Sequence, residues 1–166
     1  AAAREPLDLA LLRRLHVAVT GDQTSVRRTL RDGQYTLAPA QPGKLRTKPQ
    51  ALRLGDHVEA AWEQGALKRG LVELLRETAP ALAQAPISAA AHLLWAISRA
   101  QPFTGHNERT GLALAAWCLR HVGLPTLPGL GIERDPAYAT ALAAATRDER
   151  SALERYLVDA LWAEAL

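Results

Sequence analysis

The most informative part of the sequence is residues 101–111, which read Gln101-Pro102-Phe103-Thr104-Gly105-His106-Asn107-Glu108-Arg109-Thr110-Gly111. Pro102 disfavours helix at the residue before it, and Gly105 permits a tight turn, so the stretch is predicted to be a loop. An amphipathic helix is predicted directly after it, over about 108–121, and Gly123 followed by Pro125 ends that helix. A helix N-terminus entered from a loop presents unpaired backbone N–H groups and the positive end of the helix dipole, which favour an anion.

Two residues at this helix start allow two interpretations. Asn107 is a good N-cap, and its amide could alternatively reach a phosphate oxygen. Arg109 lies in the first turn, where a cation opposes the helix dipole, so a bound phosphate would account for it. The alternative is an ordinary capped helix whose arginine pairs with a nearby carboxylate.

The rest of the chain is predicted to be mostly helical. Alanine and leucine dominate the composition while β-branched and aromatic residues are few, which disfavours a β-sandwich or barrel. Apolar residues at helical spacing predict further helices over about 7–19, 55–64, 66–77, 86–99, 135–146 and 150–165. The predicted fold class is all-α, with six to eight helices in a single domain spanning residues 1–166.

Residues 20–54 interrupt this helical pattern. Glycine and proline punctuate the segment, with short extended candidates at 34–37 and 44–47. We therefore expect a long irregular excursion that carries a small hairpin, and such long loops inside compact domains are often functional.

Composition limits the remaining possibilities. No apolar run approaches the ~18 residues of a membrane span, and Cys118 has no second cysteine to pair with, so a cytoplasmic protein is expected. Cys118 itself is expected to be a buried structural thiol. The net charge is +3, and the basic run from Arg13 to Arg31 is interpreted as a solvated face rather than a nucleic-acid surface. His16, His57, His92 and His121 show no ligand spacing with one another or with Cys118, so no metal site is predicted among them.

Residues 101–111 resemble the active-site loop of the Fic (Fido) family, whose pattern is His-Pro-Phe-x-Asp/Glu-Gly-Asn-Gly-Arg-Thr-Gly-Arg. The helices before and after the loop, and the first helix with its Pro/Gly-rich sequel, extend the resemblance over nearly the whole chain. It implies a Fic-type helical bundle with a hairpin flap, here at about 34–54, against which a target protein docks by strand addition. It also implies transfer of a nucleoside monophosphate, usually AMP from ATP with magnesium, to a hydroxyl group of that target.

The resemblance also implies roles for individual residues. Phe103 is the buried anchor of the loop. The nucleotide- and phosphate-binding stretch comprises Asn107, Arg109, Thr110 and Gly111, of which the last two pack the helix start.

Five positions depart from the family pattern. Gln101 stands where the general base is expected, and a neutral amide cannot accept a proton near pH 7. Gly105 stands where the metal-binding carboxylate is expected, and Leu112 replaces the second arginine. His106 and Glu108 replace glycines whose missing side chains let the backbone approach phosphate. Loss of the base alone should cost about 10²- to 10⁴-fold in rate.

These departures predict a Fic-related protein that is weak or inactive in AMP transfer. The alternative is a non-catalytic module that holds a nucleotide or a protein segment in the same cleft. Two rescue assignments remain open at this stage, His106 as a shifted base and Glu108 as a shifted metal ligand, as does a related but altered transfer reaction.

Overall fold

The computed structural model describes residues 5–127, 134–146 and 150–165. In these ranges the chain forms six α-helices and four short strands. The helices are α1 (Leu9–Thr20), α2 (Gln64–Thr78), α3 (Pro86–Ala100), α4 (Asn107–His121), α5 (Pro136–Thr146) and α6 (Arg150–Ala165). The strands are β1 (Ser25–Thr29), β2 (Tyr35–Pro39), β3 (Ala51–Leu54) and β4 (His57–Ala60). None of the described helices is long and apolar enough to cross a bilayer.

Helix α3 is the centre of the fold, because it packs against both α4 and α6. Most of its residues are buried, including the run Ala89–Ala91 and the pair Leu93 and Leu94. The α4 backbone comes close to it at Gly111, where an added Cβ would lie 3.0 Å from Leu94 Cδ1. This close approach fixes the loop between α3 and α4, which holds the Gln101–Gly111 motif.

A buried arginine closes the end of α3. The guanidinium of Arg46 donates from Nε to the Gln101 carbonyl at 2.6 Å and from Nη2 to the Ala100 carbonyl at 3.2 Å. It also donates to the carbonyls of Lys48 and Trp62. Helix ends leave carbonyl groups without intrahelical partners, and here Arg46 satisfies two of them inside the protein. The residue is only 4% exposed, so its role in the fold is structural.

Two antiparallel hairpins lie between α1 and α2. In the first, β1 pairs with β2 from Ser25↔Pro39 to Thr29↔Tyr35. In the second, β3 pairs with β4 from Ala51↔Ala60 to Leu54↔His57, and Gly55 in the connecting turn has a φ of 61°. Arg53 connects the two hairpins, because its Nη1 donates to the Gly33 carbonyl at 2.8 Å.

The hairpins correct three of the predictions. The all-α class is too narrow, because the chain is broadly helical with two small sheets. The helix predicted at 55–64 is wrong: residues 57–60 are β4, since the left-handed Gly55 turns the chain back on β3. The extended candidate at 44–47 forms no strand, and the Arg46 backbone N–H donates to the Pro102 carbonyl at 2.9 Å. The extended candidate at 34–37 is confirmed as part of β2.

Candidate functional site

The motif loop borders an open cleft of about 310 Å³ between the helices and the two hairpins. One side of the cleft comes from the loop and the start of α4, namely Gln101, Gly105, His106, Asn107, Glu108 and Arg109. The other side comes from the hairpins and the segment before β3, namely Arg27, Thr29, Tyr35, Gln50, Leu52 and Arg53. Five of the eight site residues predicted from the sequence therefore line one cleft, namely Gln101, His106, Asn107, Glu108 and Arg109. Phe103, Thr110 and Gly111 do not line it.

The centre of the cleft is a closed network of neutral amides. Gln101 donates from Nε2 to the Ser98 carbonyl at 2.7 Å, and its Oε1 accepts from Asn107 Nδ2 at 3.0 Å. The same Oε1 accepts from Gln50 Nε2 at 2.9 Å. Gln101, Asn107 and Gln50 are all less than 8% exposed. The position where the family resemblance places a base is therefore occupied by an amide whose oxygen already accepts two hydrogen bonds.

Asn107 holds the loop together and is not the N-cap of α4. Its Oδ1 accepts from the Phe103 backbone N–H at 2.8 Å, and its Nδ2 donates to the Phe103 carbonyl at 2.9 Å. The N-cap position is His106, which has a φ of 55° and makes no capping hydrogen bond from its side chain. The cap prediction for Asn107 is wrong because the amide turns back into the loop, where the two Phe103 groups and Gln101 satisfy it.

Phe103 is fully buried, as its assignment as the loop anchor requires. Its ring stacks on the imidazole of His16 in α1, with the centroids 3.8 Å apart and the planes 10° from parallel. His16 Nδ1 accepts from the Gly43 backbone N–H at 2.9 Å, so the proton resides on Nε2, which lies 3.2 Å from the Gly105 carbonyl. Burial lowers the pKa of His16 to about 4, so the ring is neutral and ties α1 to the motif loop.

Gly105 is in tight contact with the first hairpin. A Cβ built on Gly105 would lie 2.6 Å from Val26 Cβ and 3.0 Å from Val26 Cγ2. Real Cβ atoms essentially never approach so closely, so any side chain here would have to move β1. At the position where the family pattern carries a carboxylate, this chain therefore has no carboxylate oxygens, and packing leaves no room for a side chain.

His106 lies at the rim of the cleft. Its Nε2 donates to Gln23 Oε1 at 2.6 Å, which ties the ring to the turn after α1. Burial and, to a lesser extent, the neighbouring Arg109 lower the pKa of His106, so the ring is neutral near pH 7. A neutral imidazole retains one lone pair, on Nδ1 in this tautomer.

The charged side chains that line the cleft are mostly basic. Arg27, Arg53 and Arg109 border it, and Glu108 is the one carboxylate among its described lining residues. The Arg27 guanidinium carbon lies 4.8 Å from the ring centroid of Tyr35, and that of Arg53 lies 5.9 Å from it. Three guanidinium groups around one carboxylate give the cleft an excess of positive charge, which suits a phosphate group.

The start of α4 is built for packing. Thr110 is fully buried, and its hydroxyl donates to the His106 carbonyl at 2.7 Å. Gly111 provides the close approach to α3, and Leu112 lies in the apolar core at 9% exposure. Thr110 and Gly111 therefore pack the helix start, and Leu112 brings no charge to the cleft.

The residues of the site do not match a magnesium site of the kind the resemblance implies. Mg²⁺ in phosphate-transfer sites is held by one or two carboxylates together with phosphate oxygens. Gly105 offers no side-chain oxygen and no space for a side chain, and Glu108 is the sole acidic residue bordering the cleft in the described chain. The described ranges also contain no group of three or more His, Cys, Asp or Glu side chains placed to hold a metal.

Sequence reasoning missed three residues of this site. Gln50 completes the amide network, Val26 closes the loop at Gly105, and Arg46 holds the end of α3. All three lie in the segment that was predicted only as irregular. The sequence of this segment shows only an arginine and a glutamine within a turn-rich stretch, and such polar residues do not indicate burial.

The chain thus combines a helical core with a loop at the start of α4 and a cleft whose charged side chains are mostly basic. The profile of the Fic/DOC family matches residues 6–119, which is more than half of the chain. The chain therefore belongs to the Fic/DOC family. No functionally curated protein matches its sequence.

Solved structures share the fold. A Fic-domain-containing signaling protein from Bacteroides thetaiotaomicron VPI-5482 is similar with a TM-score of 0.69 and 19% identity, over 94% of this chain and 59% of that one. Fic-1 (residues 134–508) from C. elegans gives a TM-score of 0.67 and 19% identity, over 96% and 42%. A Fic family protein from Desulfovibrio desulfuricans G20 gives 0.58 and 18%, over 73% and 39%. The chain thus spans less than two thirds of each of these proteins.

Proposed function

We propose that this Fic domain binds a phosphate-bearing ligand, such as a nucleotide, in the motif cleft without transferring AMP efficiently. The observation that carries the proposal is the amide network around Gln101. A base must accept a proton from the attacking hydroxyl, and the Gln101 oxygen is neutral and already accepts from Gln50 and Asn107.

The packing at Gly105 supports the same conclusion. A carboxylate at this position would need room that Val26 occupies. Without it, the phosphates of a bound nucleotide would lack the metal contact that neutralises the charge developing during transfer. The base and the metal ligand act on one transition state, so loss of both leaves little catalysis.

Binding survives the loss of this chemistry. Arg27, Arg53 and Arg109 border the cleft, and the N-terminal turn of α4 contributes its dipole. Phosphate contacts of this kind are charge-assisted, and each contributes roughly 1.5–3 kcal/mol.

A titration with ATP in a calorimeter tests the binding. We expect measurable affinity in the unmodified protein and at least a 10-fold loss in Arg109→Ala, since one charge-assisted contact is removed. Arg120→Ala is the matched control, because Arg120 lies on the same helix at its exposed end. Equal affinity in all three proteins would show that the ligand does not bind at the motif cleft.

Incubation with labelled ATP and magnesium, alone and with a cell lysate, tests the absence of transfer. We expect no labelling above the level of a heat-denatured sample. Strong labelling that is lost in His106→Ala would contradict the proposal and would assign proton removal to the neutral His106 ring.

A second candidate function is binding of an extended protein segment, and it rests on β2. In the described chain β2 pairs only with β1, and its Leu37 side chain is 76% exposed. An unpaired strand edge with an exposed apolar side chain favours strand addition by a partner. Capture of a target that depends on Leu37 and not on Arg109 would favour this function over ligand binding in the cleft.

A further inference from the structure

A second, separate cavity lies beside the motif loop. It measures about 190 Å³, several times the ~30 Å³ that one water occupies in the liquid. Arg28, Arg46 and Lys48 border it together with Thr47, Thr104 and Gln41. Gln50 borders both this cavity and the motif cleft.

The charges around this cavity are all of one sign. None of the described residues that line it is acidic. The salt bridges found in the described chain involve Arg14, Arg76, Arg99 and His57, so none of them pairs the three cations of the cavity. Burial lowers the pKa of Arg46, and the nearby Arg28 guanidinium lowers it further, which shows that the two groups repel one another.

Contacts within the described chain neither neutralise these cations nor satisfy all of their hydrogen-bond donors. Arg46 directs four hydrogen bonds to backbone carbonyls, none of which carries a compensating charge. Arg28 donates from Nη2 to the Pro49 carbonyl at 2.8 Å, but its Nε–H is buried with no acceptor among the described residues. A buried donor without an acceptor is uncommon in folded proteins and is a signal of a missing partner.

We propose that this cavity binds a small tetrahedral oxyanion, with inorganic phosphate as the simplest ligand. Arg28 and Lys48 supply charged donors, while the charge of Arg46 adds to the attraction. The Thr47 and Thr104 hydroxyls and the Gln41 amide add neutral donors of the kind that complete the coordination of phosphate oxygens. The anion would also remove the repulsion between Arg28 and Arg46.

This site does not depend on ligand binding in the motif cleft. Its three cations come from β1 and from the segment before β3, whereas Arg109 belongs to α4. Thr104 is the motif-loop residue that borders it, so a bound anion would contact the loop next to Gly105 without entering the cleft.

The experiment is a titration of the isotope-labelled protein with inorganic phosphate, followed by backbone amide NMR at constant ionic strength set with chloride. We expect saturable shifts of the Thr47, Lys48 and Thr104 amides. Arg28→Gln and Lys48→Gln should each weaken this binding at least 10-fold, because each removes one charge-assisted contact.

Two controls locate the binding. Arg31→Gln removes an exposed arginine of the same hairpin outside the cavity and should leave the shifts unchanged. Arg109→Gln removes a cation of the motif cleft, and should also leave these shifts unchanged even if phosphate no longer binds in the cleft. Lys48 is exposed, so its variant carries the test by itself if loss of the Arg28–Pro49 hydrogen bond perturbs the hairpin.

Shifts that rise linearly without saturation would overturn the proposal, because they indicate only non-specific ionic contact. Saturable shifts of equal midpoint in the native protein and Lys48→Gln would overturn it as well. Shifts that disappear in Arg109→Gln but persist in Lys48→Gln would place the phosphate in the motif cleft instead.

Discussion

The contact between Gly105 and Val26 can be tested by a double-mutant cycle. Gly105→Ala adds a Cβ that would lie 2.6, 3.0 and 3.2 Å from three atoms of Val26. Overpacking of this kind costs typically about 1–3 kcal/mol. The φ of Gly105 lies outside the left-handed region, so alanine also restricts the unfolded chain and recovers about 0.4–1 kcal/mol. The net expectation is a loss of about 1–2 kcal/mol in the free energy of unfolding.

The choice of partner variant makes this test specific. The atom nearest to the added Cβ is Val26 Cβ, which Val26→Ala retains and Val26→Gly removes. In the Val26→Ala background, Gly105→Ala should therefore remain destabilising. In the Val26→Gly background the clash is gone, so the same change should be neutral or slightly stabilising.

The assay is urea unfolding of all six proteins, with the midpoint and the slope determined for each. Gly65→Ala serves as a control, because a Cβ there meets no atom within 4 Å. The reasoning is refuted if Gly105→Ala costs the same in the native, Val26→Ala and Val26→Gly backgrounds. Such additivity would mean that the hairpin does not hold position 105 closed.

Three further predictions concern other buried groups. Gln101→Ala should lower the free energy of unfolding by about 1–3 kcal/mol, because it removes the acceptor shared by Gln50 Nε2 and Asn107 Nδ2. An unchanged free energy of urea unfolding would contradict the network. His16 has a folded-state pKa of about 4, below its usual 6.5, so its contribution is complete above pH 6.5 and is lost as the pH falls towards 4. The loss should reach roughly 3 kcal/mol, and His16→Gln should show a correspondingly flatter decline between pH 6.5 and 4.5 than the native protein. Burial raises the pKa of Cys118 to about 12, so a thiol-specific reagent should label it only after unfolding, and rapid labelling of the native protein would show that the thiol is accessible.

Most of the helices were predictable from the sequence because their stability comes from a pattern that repeats within each segment. Apolar residues at helical spacing, Pro86 at the first turn of α3 and Gly123 after α4 are all local signals. The helix at 55–64 was wrong because strands of four residues are too short to show an alternating pattern. The left-handed glycine at the turn of that hairpin was the competing signal, and it determined the result.

Only the side of the cleft formed by residues 101–111 was predictable from the sequence. The order of residues 101–111 indicated a loop before a helix. Their resemblance to the Fic motif implied an anchor at Phe103 and substitution of the base and the carboxylate. What fills those two positions could not be read from the sequence, since Gln50 is 51 residues from Gln101 and contacts it only through the folded chain. The role of Asn107 was missed for a related reason: an asparagine before a helix suits the cap, and only tertiary contacts direct it to Phe103.

The two central departures from the family pattern are each matched by a residue of the segment between α1 and α2. The Gln101 side-chain oxygen accepts hydrogen bonds from two amides, and one of them belongs to Gln50. A histidine at position 101 would have to replace both this acceptor and the donor to the Ser98 carbonyl. Gly105 has no side chain, and Val26 occupies the space that a side chain would need. Each motif residue therefore fits a partner from the segment between α1 and α2, so the loop is packed for its present sequence and is not an open site that merely lacks two functional groups. Restoring a histidine at 101 and a carboxylate at 105 without changing Gln50 and Val26 would introduce an unsatisfied amide and a steric clash before it introduced any chemistry.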